Sequence, residues 1–542
     1  PLKDLPGHRI LAINRGEKEE FLKVSVEISK DLPLNYLFSQ VVKDHRTPSA
    51  KIVIRALIDG YDRLIAPSVE REIRTELFEK ASEGAIALFS ENLKNLLMSA
   101  PLKGKTVLGL DPGYRTGCKL AVVDPTGKVL DTAVIYPTKP REDIPGSARI
   151  VRRLIDRYHV DVVAIGNGTA SKESEIFISD TIRDYGGRVK YAMVSEAGAS
   201  VYSASKLAAE EFPQYDVNLR SAVSIARRLQ DPLAELVKID PKAVGVGQYQ
   251  HDMPQKRLNE TLDGVVEDCV NSVGVDLNTA SAPLLRRVAG VSAATAKNIV
   301  AWREEEGAFT SRAQLKKVKG LGPKAYEQCA GFLRLPEAKN RLDATAVHPE
   351  SYGVVEQMAK DQGCSVQELI GNNERIKKIK IEKYNITHKE ENIAGTGLKE
   401  QDAPFPGPSP HNLNGRQSTR RSENGEDIGL YTLRDILKEL EKPGLDPRGE
   451  VEVFEFDHNV HTIDDLVEGM ELPGIITNIT NFGAFVDIGV HQDGLIHISQ
   501  LADKFVSDPT QVVRLHQHVR VRVTQIDNRR NRIGLSMKHI KQ

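Results

Sequence analysis

Cysteine is scarce in this sequence, and its distribution excludes two kinds of structure. Only four cysteines occur in 542 residues, and they lie far apart. No two of them form the CxxC pair that structural zinc sites use, so neither a metal centre of that kind nor a disulfide framework is predicted. Unpaired thiols of this kind are typical of a reducing compartment. The four residues are Cys118, Cys269, Cys329 and Cys364.

Long apolar runs and an excess of charge are absent as well. A run of about 18 apolar residues, the length that spans a membrane, does not occur. Lys and Arg number 74 against 75 Asp and Glu, which gives a net charge of −1. Any nucleic-acid site must then be a local basic patch, since no overall positive field exists. The length predicts three to five domains of roughly 100–200 residues each.

The stretch Gly469–Leu501 alternates like paired β-strands. On a regular strand, Ile476 and Asn478 lie on one face, and Ile475 and Thr477 lie on the other. This alternation predicts a small antiparallel sheet in which one face is buried.

Two aromatic residues stand three positions apart within that stretch. Residues so spaced on a regular strand face opposite ways, and a bulge at Gly483 would bring Phe482 and Phe485 to one face. His497 lies between two isoleucines and is predicted to point away from the core. These three side chains are then a candidate stacking platform for unpaired bases. The alternative is that both rings are core residues and His497 is merely exposed.

The residues after this stretch favour the stacking interpretation. Val519–Ile526 alternates apolar and basic residues, and residues 527–532 form a basic turn. Small OB-type barrels with exposed rings and a basic rim bind single strands. The motifs FGAFVDIGVHQDGLIHIS and RIGLSMK resemble an S1 RNA-binding domain. The predicted basic rim consists of Arg520, Arg522, Arg529, Arg530 and Arg532.

Residues 105–240 are predicted to form an α/β domain. Three hairpin-linked strands come first, and then helix and strand alternate, which is the order of RNase H-like folds. The motif GLDPGYRTG at Gly109–Gly117 resembles the YqgF branch of that fold. Carboxylates at strand ends hold two divalent metals in active members, and Asp111 and Glu196 fit two such positions. Asn218 stands where a further Asp is expected, and its neutral amide is a weaker ligand for Mg²⁺. We therefore predict the fold without nuclease activity and without a bound metal, and a metal-dependent nuclease or resolvase remains the enzyme alternative.

Two helix-hairpin-helix units are predicted between Leu284 and Leu335. In the second, Gly320 and Gly322 allow a tight turn whose bare N–H groups receive a phosphate without reading sequence. Lys319 and Lys324 lie beside that turn. In the first unit, Ser292 replaces the second glycine. The alternative is a tandem that only packs domains together.

The remaining segments are predicted mainly as scaffold and connectors. His8–Ile13 and Phe21–Ile28 alternate like two strands, and a helical stripe follows from Ser49 to Met98. Residues 395–427 are rich in Pro, Gly, Ser and Asn, so they are predicted to be a flexible linker. The predicted fold class is multidomain α+β: 1–104 strand pair and helical scaffold, 105–240 RNase H-like domain, 241–340 tandem helix-hairpin-helix, 341–394 helical connector, 395–427 linker, 428–465 short helical segment, 466–540 S1 domain.

The order of these modules resembles the Tex family of bacterial transcription accessory proteins. The likeness extends over nearly the whole chain and includes VGVDLNTAS at Val273–Ser281. The resemblance implies a cytoplasmic protein that binds nucleic acid and acts with the transcription machinery. It also leads us to expect that the family's N-terminal helical region is missing or shortened here.

The leading hypothesis is a monomeric, non-catalytic scaffold without a cofactor. Its expected ligand is RNA or another single strand, with DNA as a further candidate. Besides the nuclease, the alternative is an adaptor associated with ribosomes or RNA decay, because S1 domains occur there too.

Overall fold

The structure is a computed structural model that falls into two compact units. The first unit is Pro1–Leu262 with Gly449–Gln542, and the second is Asp263–Arg448. The predicted linker at 395–427 and Arg529 and Arg530 lie outside the described residues. No helix in the described part of the chain is long and apolar enough to cross a membrane. The structure describes residues 2–384, 429–444, 446–449, 460, 463–480, 482–490, 492–503, 505–506, 509–514, 517–527 and 532–540.

The N-terminal region is helical, so the predicted strand pair is wrong. His8–Ile13 lies inside a helix, and Phe21–Ile28 has no regular structure. The helix forms because Ile10 and Leu11 bury against Ala81 of a second helix, and this tertiary packing overrides the alternating pattern. The predicted stripe of the long helix is confirmed over its second half, where Ile86, Phe89, Leu93 and Leu97 are buried. The helices are α1 Gly7–Lys18, α2 Asp31–Val41, α3 Pro48–Gly60 and α4 Ala66–Leu97.

A five-stranded sheet follows, and it confirms the predicted RNase H-like order. The strand order is β3-β2-β1-β4-β5, with β1 antiparallel to β2 and parallel to β4. The strands are β1 Val107–Asp111, β2 Cys118–Val123, β3 Val129–Ile135, β4 Val162–Gly166 and β5 Lys190–Val194. The helices are α5 Ile144–Tyr158, α6 Ser171–Ile182, α7 Ala199–Ser203, α8 Lys206–Glu211, α9 Val217–Gln230 and α10 Pro232–Leu236.

One helix lies unusually close to the sheet. A Cβ atom added at Gly109 would be 2.2 Å from the carbonyl oxygen of Ala222 and 2.9 Å from the Cβ of Ala226. Only glycine therefore lets α9 pack directly on β1. This contact sets the start of α9 beside Asp111, where β1 ends.

The helix-hairpin-helix region and the segments after it are mostly short helices. They are α11 Gln255–Val273, α12 Ala282–Leu285, α13 Ala293–Glu306, α14 Pro323–Cys329, α15 Tyr352–Asp361, α16 Val366–Leu369, α17 Asn373–Ile376 and α18 Leu430–Glu441, with two short strands, β6 Val275–Asp276 and β7 Leu333–Arg334.

Helix α18 belongs to the same core as the helices before residue 385. Leu433, Ile436 and Leu440 are buried together with Val355 and Met358 of α15. The predicted helix within 428–465 therefore packs with residues of the predicted connector at 341–394. The amphipathic stripe of α18 is buried by this packing, and sequence distance hid its partner.

A fully buried arginine ties the two halves of the second unit together. Arg312 is 1% exposed, and its guanidinium donates to the carbonyls of Leu333 (2.7 Å), Val347 (2.8 Å) and Thr345. It also donates to the hydroxyl of Tyr352 at 2.8 Å. A buried charge is tolerated only when its donors are satisfied, so this network holds the hairpins and the α15 region in one arrangement.

The C-terminal strands form a closed barrel, as predicted. Its strand order is β10-β12-β11-β8-β9, and β10 runs parallel to β12. Its core consists of aliphatic side chains from every strand, such as Ile476, Val486, Ile496, Val521 and Leu535. The strands are β8 Glu471–Thr480, β9 Gly483–Asp487, β10 Gly494–His497, β11 His518–Asp527 and β12 Arg532–Ser536.

We expect α18 and α15 to open as one cooperative unit because they share a core. Leu440→Ala should cost about 2–5 kcal/mol of stability, the usual range for a buried leucine. Hydrogen exchange should then accelerate in both helices. Tyr431→Ala on the same helix is the control, since Tyr431 is 82% exposed. Acceleration confined to α18 would contradict the shared core.

Candidate nucleic-acid interface

The two predicted rings lie together on the barrel surface. Phe482 is 51% exposed, and the centroids of its ring and that of Phe485 are 6.2 Å apart in an edge-to-face arrangement. Phe485 faces Asn478 of β8 and Leu495 of β10, whereas its neighbours Ala484 and Val486 point into the barrel. The prediction that both rings share one face is confirmed, and the interpretation of both as core residues does not fit.

The bulge that was predicted at Gly483 lies elsewhere. Ile476 pairs with Val486 and Asn478 pairs with Phe485, so Thr477 is the extra residue and the bulge is in β8. It breaks the alternation expected for β8: Ile476 is fully buried, whereas Asn478 is exposed. Phe482 reaches the outer face because it precedes β9 and escapes the strand's alternation.

Gly483 nevertheless has a steric role. Its φ is +153°, and a Cβ there would lie 2.1 Å from the carbonyl oxygen of Ile496. The backbone of β9 therefore approaches β10 closely at this point, directly after Phe482. The carbonyl of Phe482 accepts a hydrogen bond from the N–H of Ile498 at 2.8 Å, which holds the residue in place.

His497 is exposed at the end of β10, opposite Gly483. Its Nδ1 accepts a hydrogen bond from the N–H of Ser499 at 3.3 Å and lies 2.9 Å from the Ser499 hydroxyl. Because a backbone N–H can only donate, a neutral His497 carries its proton on Nε2. The ring is thus oriented with a donor directed away from its own loop.

The arginines of β11 and β12 lie on the outer surface. Val519, Val521 and Val523 are buried, so the alternating Arg520 and Arg522 point outward. Arg522 pairs with Glu471 at 2.6 Å.

Strand register relates these arginines to the aromatic residues. Ile496 pairs with Leu535, so one further position along these parallel strands brings His497 level with Ser536. Ser536 in turn pairs with Arg522, so Arg522 is two strands from His497. Arg532 is exposed and pairs with Asp527 at the far end of β12.

The second hairpin adopts the predicted turn. Gly320 has φ +83°, and Gly322 precedes α14 with Pro323 in its first turn. The amide of Asn298 donates to the carbonyl of Lys319 at 2.7 Å, which braces the turn against α13. Lys319, Gly320, Gly322 and Lys324 are all exposed.

The first hairpin uses its serine as a cap. The Ser292 hydroxyl accepts a hydrogen bond from the N–H of Thr295 at 3.1 Å at the start of α13. Gly290, with φ +80°, packs against Ala325 and Gln328 of α14. Each hairpin therefore packs against the helix that follows the other hairpin.

The RNase H-like domain brings two of the three predicted acidic positions together. Asp111 ends β1, and burial together with the nearby Glu196 carboxylate raises the pKa of Asp111 to about 6. The N–H of Glu196 donates to the side-chain oxygen of Asn167 at 3.0 Å.

The third position differs from the prediction. Asn218 is exposed in the first turn of α9, and the α9 side chain that hydrogen bonds to Asp111 is Ser221, one turn later. The sequence did not single out Ser221, because a neutral hydroxyl does not fit the pattern of acidic metal ligands. No group of three or more His, Cys, Asp or Glu residues could hold a metal ion anywhere in the described stretches.

Fold and site define a class: multidomain chains that join an RNase H-like domain to helix-hairpin-helix and S1 domains. Models of known protein families match the same regions of the chain. The chain belongs to the Tex family. The matching family models are the Tex central region-like domain (1–89), the Tex protein YqgF-like domain (105–230), the helix-hairpin-helix motif (270–334), the HHH domain (340–399 and 407–448) and the S1 RNA binding domain (465–538).

Several relatives are similar over 99% of this chain. Protein tex of Bordetella pertussis is 49% identical, and the match covers 65% of that protein. The Bacillus subtilis protein YdcI is 50% identical with 70% covered. Transcriptional accessory protein Tex of Neisseria gonorrhoeae is 47% identical with 66% covered. The chain therefore spans about two thirds of the length of these relatives.

The raised pKa of Asp111 predicts a pH-dependent stability. Its ordinary value is 3.8 and its folded value about 6, so the unfolding free energy should fall as pH rises through that window, by roughly 3 kcal/mol in total. Asp111→Asn removes this loss. The unfolding free energy of the variant should therefore rise relative to that of the parent as the pH increases from about 4 to about 7. Thermal unfolding of both proteins across that range measures the difference.

Asp124→Asn serves as a control of opposite sign. Burial acts to raise the pKa of Asp124, but hydrogen bonds from Thr126 and Lys128 hold that pKa below its ordinary value. That variant should lose stability above the ordinary pKa rather than gain it. A parallel pH dependence of Asp111→Asn and the parent would contradict a raised pKa at Asp111.

Proposed function

We propose that this chain is a non-catalytic transcription accessory factor that binds RNA or other single strands through its S1 barrel and holds phosphates at its hairpins. The observation that carries the proposal is the contact on the barrel surface between the exposed ring of Phe482 and the half-buried ring of Phe485, near His497. The proposed setting is the cytoplasm, with the transcription machinery as partner. The proposed form is a monomer without a cofactor or metal.

Exposed rings in contact are suited to stacking on unpaired bases. A half-exposed phenylalanine gains little from its own fold, and a base stacked on its ring removes that apolar surface from water. The edge-to-face pair offers one ring face beside one ring edge, so successive bases would meet different surfaces. The His497 Nε2–H adds a donor for a base or a 2′-hydroxyl.

Phosphates would be held by two further groups. On the barrel, Arg522 and Arg532 occupy outward-facing positions of β11 and β12, and Arg520 is a further outward-facing member of the proposed basic rim. On the hairpins, Gly320 and Gly322 expose backbone N–H groups, with Lys319 and Lys324 alongside. Such N–H groups bind phosphate of any sequence, so the hairpins suit duplex as well as single strands.

The acidic positions support a domain without catalysis. Two-metal phosphoryl transfer needs several carboxylates to clamp both ions, and this site supplies Asp111 and Glu196. The third position is occupied by neutral side chains, Ser221 toward Asp111 and Asn218 toward solvent.

The partner assignment follows from the relatives. The Neisseria gonorrhoeae relative is named a transcriptional accessory protein, and we transfer that role to this chain. The S1 family description, an RNA binding domain, supports RNA as the first ligand to test.

Removing a ring and removing a cation should have different effects on binding measured over a range of salt concentrations. Stacking is worth about 1–3 kcal/mol per base and depends little on salt. Phe485→Ala should thus weaken single-strand binding about tenfold or more and leave the salt slope unchanged. Arg532→Ala should flatten the slope by about 0.7, the contribution of one neutralised phosphate on a single strand.

Phe505→Ala is the matched control, because Phe505 is a 93% exposed ring outside the Phe482–Phe485 contact. Duplex binding should survive the ring substitutions better, since paired bases hide their faces. If folded Phe482→Ala and Phe485→Ala both bind single strands like the parent, the stacking role is wrong.

Purified protein should not cleave nucleic acid in Mg²⁺ or Mn²⁺. The substrates to incubate are a single strand, a duplex and a four-way junction, each followed on a denaturing gel. The physical reason is the neutral third position of the acidic site. Metal-dependent cleavage that Asp111→Asn abolishes would establish the nuclease instead.

A further inference from the structure

Lys172 at the start of α6 connects two domains of the first unit. Its Nζ donates to the carboxylate of Glu175 at 3.1 Å within the RNase H-like domain. The same Nζ donates to the carbonyl of Gly489 at 2.8 Å in the barrel, just beyond β9. One ammonium group therefore bonds to both domains at once.

Both sides of this contact carry a carboxylate. Glu175 has a side chain that is 7% exposed, and it accepts a hydrogen bond from the Tyr191 hydroxyl at 3.3 Å. On the barrel side, Asp487 accepts a hydrogen bond from the N–H of Gly489 at 2.9 Å. Burial raises the pKa of both acids, and the Lys172 charge opposes that rise in each case. Lys172 is thus the cation shared by two acids from different domains.

We propose that Lys172 is a latch that docks the S1 barrel on the RNase H-like domain. Without its charge, Glu175 and Asp487 would face each other as two like charges in a partly dry contact, which disfavours docking. Gly489, with φ +89°, allows the turn that presents its carbonyl to the ammonium.

The latch leaves the proposed nucleic-acid face open. Gly489 follows the end of β9, whereas Phe482 precedes its start, and a five-residue strand is about 16 Å long. The docked barrel is therefore held at the Gly489 end of β9, while Phe482 at the other end is 51% exposed. The latch does not depend on what the ring face binds.

The test is the distance distribution between spin labels on the two domains of the full chain. Labels go on Arg149→Cys in α5 and Gln511→Cys in the barrel, both exposed positions. Cys364→Ser removes the one native thiol that is not buried. A docked barrel gives a narrow distribution, and Lys172→Met should broaden it, because the variant keeps most of the side chain and loses the ammonium with its charge and hydrogen bonds.

Two variants distinguish the latch from a general effect of charge. Glu175→Gln leaves Lys172 opposite a single acid, Asp487, so its distribution should stay narrow. Lys206→Met removes an ammonium whose side chain is 91% exposed on α8 and should change nothing. A Lys172→Met distribution as narrow as that of the parent would overturn the proposal.

Single-strand affinity provides a separate readout. Lys172→Met should bind a short oligonucleotide as the parent does, because the rings are untouched. The Phe485→Ala variant tests the ring face and should lose affinity, whereas the Lys172→Met variant tests the latch and should keep it. The two proposals can therefore fail independently.

Discussion

The direct packing of α9 on β1 at Gly109 is the constraint on which the RNase H-like domain depends. With no side chain at Gly109, the helix backbone comes within contact distance of the strand, and Ser221 reaches Asp111. Further along α9, the buried guanidinium of Arg228 donates to the carbonyls of Ser195 and Ala197 at 2.8 Å, on either side of Glu196. One close approach therefore positions both acidic residues of the site, although they belong to distant parts of the chain.

In the barrel, a similar close approach of two backbones occurs between β9 and β10, and there it positions an aromatic side chain. At Gly483 the missing side chain lets β9 lie against the carbonyl of Ile496, and this holds Phe482 outside the strand. The aliphatic side chains fill the interior, so the aromatic pair has no place there and remains at the surface. A closed barrel has no free strand edges to offer a ligand, and its outer side chains must supply the contacts. The rings, His497 and the outward arginines are those side chains.

Much of this architecture could be predicted from local pattern. The order of the five sheet strands and a helix within 428–465 were expected, because short apolar runs bounded by turn residues specify strands and a 3.6-residue stripe specifies a helix. The predicted strands near the N-terminus failed, since Ile10 and Leu11 fit either pattern until Ala81 packs against them. The barrel bulge at Thr477 also escaped prediction, because the residues around it can be aligned with the alternation of a regular strand.

The sequence by itself determined the modules, their order and the surface residues Phe482, Phe485 and His497, because each depends on motifs within a few tens of residues. Only the tertiary structure decided which distant groups meet: Ser221 rather than Asn218 at Asp111, α18 with α15, and Lys172 with Gly489. The physical reason is that local periodicity reports which face of an element is buried, whereas the partner on that face is chosen by packing and by the pairing of buried charges.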